Sequence, residues 1–184
     1  MARTNESAVS PVVGVMLMLV VVIIIAAIVS AFAGGTVSGV KKTPQATITG
    51  KFSLSNGLEI IHSGGDSIAL QNTRFVVRDG PIFGTDLEQK TADVLNKSVM
   101  QNMRTGNYVI ASNGSYTETA YISGDTLWIT GANSTCSILQ PAVRSYNDPN
   151  LCLNNANSIG KTFWLEVSDV GGNLISRTEV TITP

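Results

Sequence analysis

Few residues of this chain have a type and spacing that could do chemistry. His62 is the only histidine, and it precedes Ser63-Gly64-Gly65-Asp66. A His–Asp couple at that spacing could ligate a metal or exchange a proton. One imidazole without a second histidine or a nearby cysteine makes a poor zinc set, however. The two glycines instead offer the positive φ of a turn, and Asp66 an Asx contact. The stretch therefore reads as a turn, with His62 ending a strand. No G-x-S-x-G, H-E-x-x-H or Walker sequence occurs. Glu59, Asp93 and Glu118 are scattered carboxylates that read as solvated faces. Tyr116, Tyr121, Trp128, Phe163 and Trp164 read as core or subunit contacts. The expectation is a protein without catalytic machinery, cofactor or metal.

Two further sets of residues invite covalent chemistry. Cys136 and Cys152 are the only cysteines. Behind an export segment they are expected to pair, closing a loop of about 15 residues worth about 3 kcal/mol if unstrained; the alternative is two buried thiols. Three Asn-X-Ser/Thr acceptors fall in or near expected loops, at Asn96, Asn113 and Asn133. Surface N-glycosylation is the reading for all three.

These residues are carried by a chain with three compositions. Residues 1–7, "MARTNES", are polar, with Arg3 as the one basic side chain. Residues 8–33 are almost wholly apolar, and the first charge after Glu6 is Lys41. From Gly34 the vocabulary turns to Thr, Ser, Asn and Gly with short apolar runs, as in strands and turns. "GGTVSGVKKTP" joins the last two, its glycines ending a helix and Pro44 preventing its continuation. Twelve basic residues balance thirteen acidic ones for a net charge of −1, which gives no electrostatic grip on nucleic acid.

The distal part divides into short strand candidates separated by turn signals. "QATITGKFSLS" alternates, with Gly50 marking a bulge or bend. "LEIIH", "TRFVVRDG", "NYVIAS", "TETAYIS" and "DTLWIT" follow. "TFWLEVSD" and "NLISRTEVTITP" are joined by "VGGN", a hairpin signal, with a register change expected around Arg177. Seven or eight strands at this spacing predict an α+β chain, a long apolar helix followed by an Ig-like two-sheet sandwich.

The apolar block itself admits three readings. "AFA" at Ala31–Ala33 has the form of a signal-peptidase site, but a secretory h-region has about 7–15 apolar residues, and the run from Pro11 to Ala33 is longer. Its length suffices to cross a bilayer core of about 30 Å. It is hydrophobic on all sides and rich in Val and Ile, so it needs apolar surroundings, either lipid or a bundle of its own copies. Ser10 and Pro11 suit the N-cap and first helical position. Ala27, Ala31 and Gly35 recur at four-residue spacing and Gly14 lies one turn before Met18, a pattern that lets helix backbones approach closely.

"SAVSPVVGVMLML", leading into an uninterrupted apolar helix with a glycine-containing exit, resembles the N-terminus of archaeal type IV pilins. The box is Val9, Ser10, Pro11, Val12, Val13 and Gly14, and the resemblance covers about the first 35 residues. "HSGGDSIAL", His62–Leu70, resembles a His-x-Gly-Gly-Asp turn of many such pilins. The resemblance implies that a prepilin peptidase cuts before the apolar run, between Ser7 and Ala8 or between Ala8 and Val9. Glu6-Ser7 departs from the basic residue or glycine common before that cut. Residues 8–35 would then anchor the precursor in the cytoplasmic membrane and later form the filament core, with Pro11, Gly14, Met18, Ala27, Ala31 and Gly35 as packing positions. Residues 36–44 would be a hinge and 45–184 an extracellular β-sandwich. The implied product is a homo-oligomeric helical surface filament for adhesion, built with an assembly ATPase and a membrane platform protein. An archaellin-type motility subunit is the first alternative, although its box usually begins Gly-Ile-Gly. A monomeric membrane-anchored binding module is the second.

Overall fold

In a computed structural model, residues 11–33, 42–80, 92–134 and 153–184 are described. The chain divides into two compact units, Met1–Lys42 and Thr43–Pro184. In the first, helix α1 runs Pro11–Ala33. Proline at its first position has no N–H to leave unpaired and a φ already suited to the helix. The 23 residues extend about 35 Å at 1.5 Å per residue, and Pro11–Phe32 is long and apolar enough to cross a membrane. Every residue from Pro11 to Phe32 is exposed.

The second unit holds ten described strands: β1 (Ala46–Ser53), β2 (Gly57–Gly65), β3 (Ile68–Ala69), β4 (Thr73–Asp79), β5 (Ala92–Val94), β6 (Gln101–Asn102), β7 (Ala120–Tyr121), β8 (Thr126–Thr130), β9 (Thr162–Asp169) and β10 (Leu174–Thr183). Eight of them form one sheet in the order β5-β4-β9-β10-β1-β2-β8-β6, and β3 pairs with β7 in a second, small sheet. The expected α+β chain is what is found, and the two layers foreseen for the sandwich are the halves of one curled sheet. They join where β1 runs parallel to β10, with Phe52 opposite Ile182; the remaining pairs are antiparallel.

Alternation decides which side chains enter the core. Leu58 and Ile60 of β2, Phe75 and Val77 of β4, Leu127 and Ile129 of β8, and Phe163, Leu165 and Val167 of β9 are all buried in one cluster. Each aliphatic in this set contributes about 1.5–3 kcal/mol relative to exposure. The Phe52 and Phe163 rings meet edge-on at 5.9 Å, and Phe75 meets Tyr121 at 6.2 Å, a geometry that suits the ring quadrupoles. Gly50 lies in this interior: a Cβ there would stand 2.5 Å from the Val180 side chain and 3.1 Å from that of Leu165. Its role is close approach. The register shift in β1 falls between Thr47 and Ile48 instead.

The "VGGN" hairpin joins β9 to β10 with Gly172 at φ 86°, and the register of β10 slips between Leu174 and Ser176, just before Arg177. "NYVIAS" forms no strand. Tyr108 and Ile110 make only isolated bridges, to Gln101 and Tyr116, and "TETAYIS" contributes just β7. Trp128 and Trp164 alternate to the outer face and are half-buried, whereas Tyr121 and Phe163 are core residues as expected.

Candidate functional site

The most function-bearing element is α1. Of the expected packing positions, Pro11, Gly14, Met18, Ala27 and Ala31 lie on it, and nothing stands within 4 Å of where a Gly14 Cβ would be. Gly35, Ser7 and Ala8 lie outside the described residues, as do Cys136 and Cys152.

The second element is the point at which the chain enters the β unit. Gln45 immediately precedes β1, and it is held by the end of β2. The Asp66 N–H donates to the Gln45 carbonyl at 2.7 Å, and the Gln45 N–H donates to Asp66 Oδ2 at 3.0 Å. His62 Nε2 lies 3.0 Å from the Asp66 carbonyl oxygen, which assigns the Nε2–H tautomer. Gly65 allows the approach: its φ is 104°, and a Cβ would stand 2.3 Å from the Gln45 carbonyl oxygen.

His62 therefore contacts the backbone of Asp66 and not its carboxylate. It is fully buried, packed edge-on against Tyr121 with ring centroids 5.0 Å apart. Its N–H donates to the Asp125 carbonyl, and its own carbonyl accepts from Gly124. Nδ1 has no hydrogen-bond partner. No group of three or more His, Cys, Asp or Glu side chains suited to a metal occurs among the described residues. "HSGGD" is a structural clamp, longer on the strand side than the sequence suggests, because β2 continues to Gly65.

A buried polar network braces the adjoining loops. The Asp125 side chain is fully buried and ion-paired to Arg104, whose side chain remains half exposed. Asp125 Oδ2 also accepts the Ile122 N–H at 3.2 Å. Burial alone would push the Asp125 carboxyl up, but the Arg104 guanidinium, the Ile122 N–H and Asn102 together hold it below the usual value. Burial, with the nearby Asp125 charge, pushes the Tyr121 hydroxyl well up, and that hydroxyl donates to the Ile60 carbonyl at 2.7 Å. Glu118, expected on a solvated face, is buried. It accepts from Thr105 Oγ1 at 2.6 Å and Asn107 Nδ2 at 3.1 Å. Nothing in the local pattern marked it, because its partners lie 11 and 13 residues away in a turn with no apolar period.

Two of the three acceptor asparagines share one geometry. Asn96 Oδ1 accepts from the N–H and the hydroxyl of Ser98, at 3.0 and 2.7 Å. Asn113 Oδ1 accepts likewise from Ser115, at 3.0 and 2.6 Å. Asn133 differs. Its own N–H donates to Thr130 Oγ1 at 3.3 Å, and neighbouring Ser134 is buried with its hydroxyl on the Thr130 carbonyl at 2.9 Å.

Residues 7–48 match a family model described as archaeal type IV pilin, N-terminal. Over this segment the chain is similar to archaeal type IV pilins. The match begins at Ser7, takes in the whole of helix α1 and ends inside β1, so it includes Gln45, where the clamp grips. Most of the β unit lies beyond the match. No curated protein matches the chain. This similarity supports a pilin-like filament subunit and is consistent with a membrane-anchored protein or a surface filament.

Proposed function

We propose that this chain is the structural subunit of an archaeal type IV pilus-like surface filament used in adhesion. The observation that carries the reading is α1, a helix apolar on every side and exposed from Pro11 to Phe32, inside a pilin-type N-terminal segment. Water is a poor solvent for it, since each large aliphatic left exposed forfeits about 1.5–3 kcal/mol. Lipid suits it before assembly, and sibling helices suit it afterwards. A prepilin peptidase cuts at Ser7–Ala8, and the helix passes from membrane to filament with its apolar surface never released into water. An assembly ATPase and a membrane platform protein drive that transfer. Copies then add head to tail through a heterologous contact that does not close, which gives a helical filament. Cys136–Cys152 pairing and glycans at Asn96, Asn113 and Asn133 complete the outward unit.

Small residues on α1 set how closely the helices approach. Gly14→Leu and Ala27→Leu are therefore expected to reduce the yield of sheared filaments or alter their diameter, with the precursor still in the membrane. Normal yield and diameter in both variants would overturn the packing role of these positions.

A further inference from the structure

The outward face of the curled sheet carries a feature that polymerisation through α1 leaves unexplained. Where β10, β1 and β2 run side by side, their outward side chains line a shallow open cavity of about 460 Å³. Lys51 of β1 stands opposite Glu59 of β2, and Glu179 and Thr181 border it from β10, with Asn56 at one end. Glu59 is in turn opposite Trp128 of β8, whose indole Nε1–H donates to the Asn56 carbonyl at 2.7 Å. The indole is half-buried on the same outer face. Among the described residues the three ion pairs are Arg78–Glu166, Arg104–Asp125 and Arg177–Glu166. Lys51, Glu59 and Glu179 therefore face the cavity with their hydrogen-bonding capacity unused by one another.

From this arrangement we infer that the cavity is a saccharide-binding site, taking a neutral, polyhydroxylated ligand. Carboxylates accept hydrogen bonds from sugar hydroxyls, and an ammonium donates to sugar oxygens. The Trp128 indole lies next to Glu59 and Asn56, just outside the lining, and offers an apolar face to the C–H groups of a sugar ring that extends past them. Two carboxylates against one ammonium repel an anionic ligand. A divalent cation is disfavoured, because Glu59 and Glu179 lie on strands separated by β1, about 9.5 Å apart, with the Lys51 charge on the strand between them. The absence of apolar lining side chains apart from buried Phe52 excludes a lipid tail. The inference goes beyond the filament reading, because it concerns the surface of a single subunit and holds whether or not the chain polymerises.

The test uses the full-length protein in a detergent without a sugar headgroup. Saturation-transfer NMR and calorimetry are run with cellotetraose, mannotetraose and triacetylchitotriose. Saturable binding of at least one sugar, in the millimolar range or tighter, is expected. Glu59→Gln and Glu179→Gln are each expected to weaken it roughly tenfold, since each loses a charge-assisted hydrogen bond, while leaving the melting temperature unchanged. Trp128→Phe should weaken it too. No saturable binding of any of the three overturns the inference, as does binding that survives both Glu→Gln changes. Binding abolished by EDTA would also overturn it, in favour of a cation site.

Discussion

Alanine at Gly65 is expected to destabilise the β unit by about 3 kcal/mol, and the figure follows from two contributions. Gly65 has φ 104°, a conformation that costs a residue with a Cβ about 1–3 kcal/mol. The added Cβ would also stand 2.3 Å from the Gln45 carbonyl oxygen and 2.7 Å from Ala46 Cα. Both atoms are backbone, so relief requires moving the start of β1. That movement breaks the paired bonds between Gln45 and Asp66, each worth about 0.5–1.5 kcal/mol at an exposed site. For a unit of this size, with about 2.1 cal/mol/K of unfolding entropy per residue, 3 kcal/mol lowers the melting temperature by about 10 °C. The adjacent Gly64 supplies the control, because nothing lies within 4 Å of its Cβ position and its φ is not positive. Thermal melts of the full-length protein in detergent, followed by near-UV circular dichroism, read both variants. Equal melting temperatures for Gly64→Ala and Gly65→Ala would refute the clamp.

Asp125, whose carboxyl is held below its usual value, contributes stability that is fully present above the unfolded carboxylate value of about 3.9. That contribution is lost as pH falls through the lower, folded value. Asp125→Asn should therefore lower stability at neutral pH by about 2–3 kcal/mol, at the low end for a broken buried pair because Arg104 reaches water. The difference should shrink in acid, and melts across pH 2–7 would show it. Tyr121→Phe removes the buried hydroxyl bond to Ile60 and should cost about 1–2 kcal/mol, read from denaturant midpoints. Glycopeptide mass spectrometry of surface material should find glycan at Asn96 and Asn113, the two acceptors in matching Asx turns; unmodified peptides at both would sink that expectation.

The helix was legible because it needs only a local signal, an unbroken apolar run opening on Ser10-Pro11. Strands with clean alternation, such as Leu127–Trp128–Ile129 and Phe163–Trp164–Leu165, were also legible, as was the Gly-Gly hairpin. Their pairing was not. β1 and β10 meet over a separation of about 130 residues, a partnership set by which apolar faces close the core. Gly50 read as a bend because its cause, the approach of Val180, is tertiary. Tyr108 and Ile110 have strand propensity, yet the short loops around Gly106 and Gly114 leave room only for single bridges. Glu118 looked like a surface carboxylate because its partners, Thr105 and Asn107, come from another segment. For the same reason the outer-face cavity could not be read, since its side chains come from strands β1, β2 and β10, brought together only by the fold.

The central claim is that the apolar helix remains in the mature subunit and is assembled into a surface polymer. Mass spectrometry of the N-terminal peptide from sheared surface material tests it most directly. A mature N-terminus at Ala8, or at Val9 for the neighbouring bond, is the predicted result. An N-terminus at Gly34, or no trace of the protein in the sheared fraction, would contradict it.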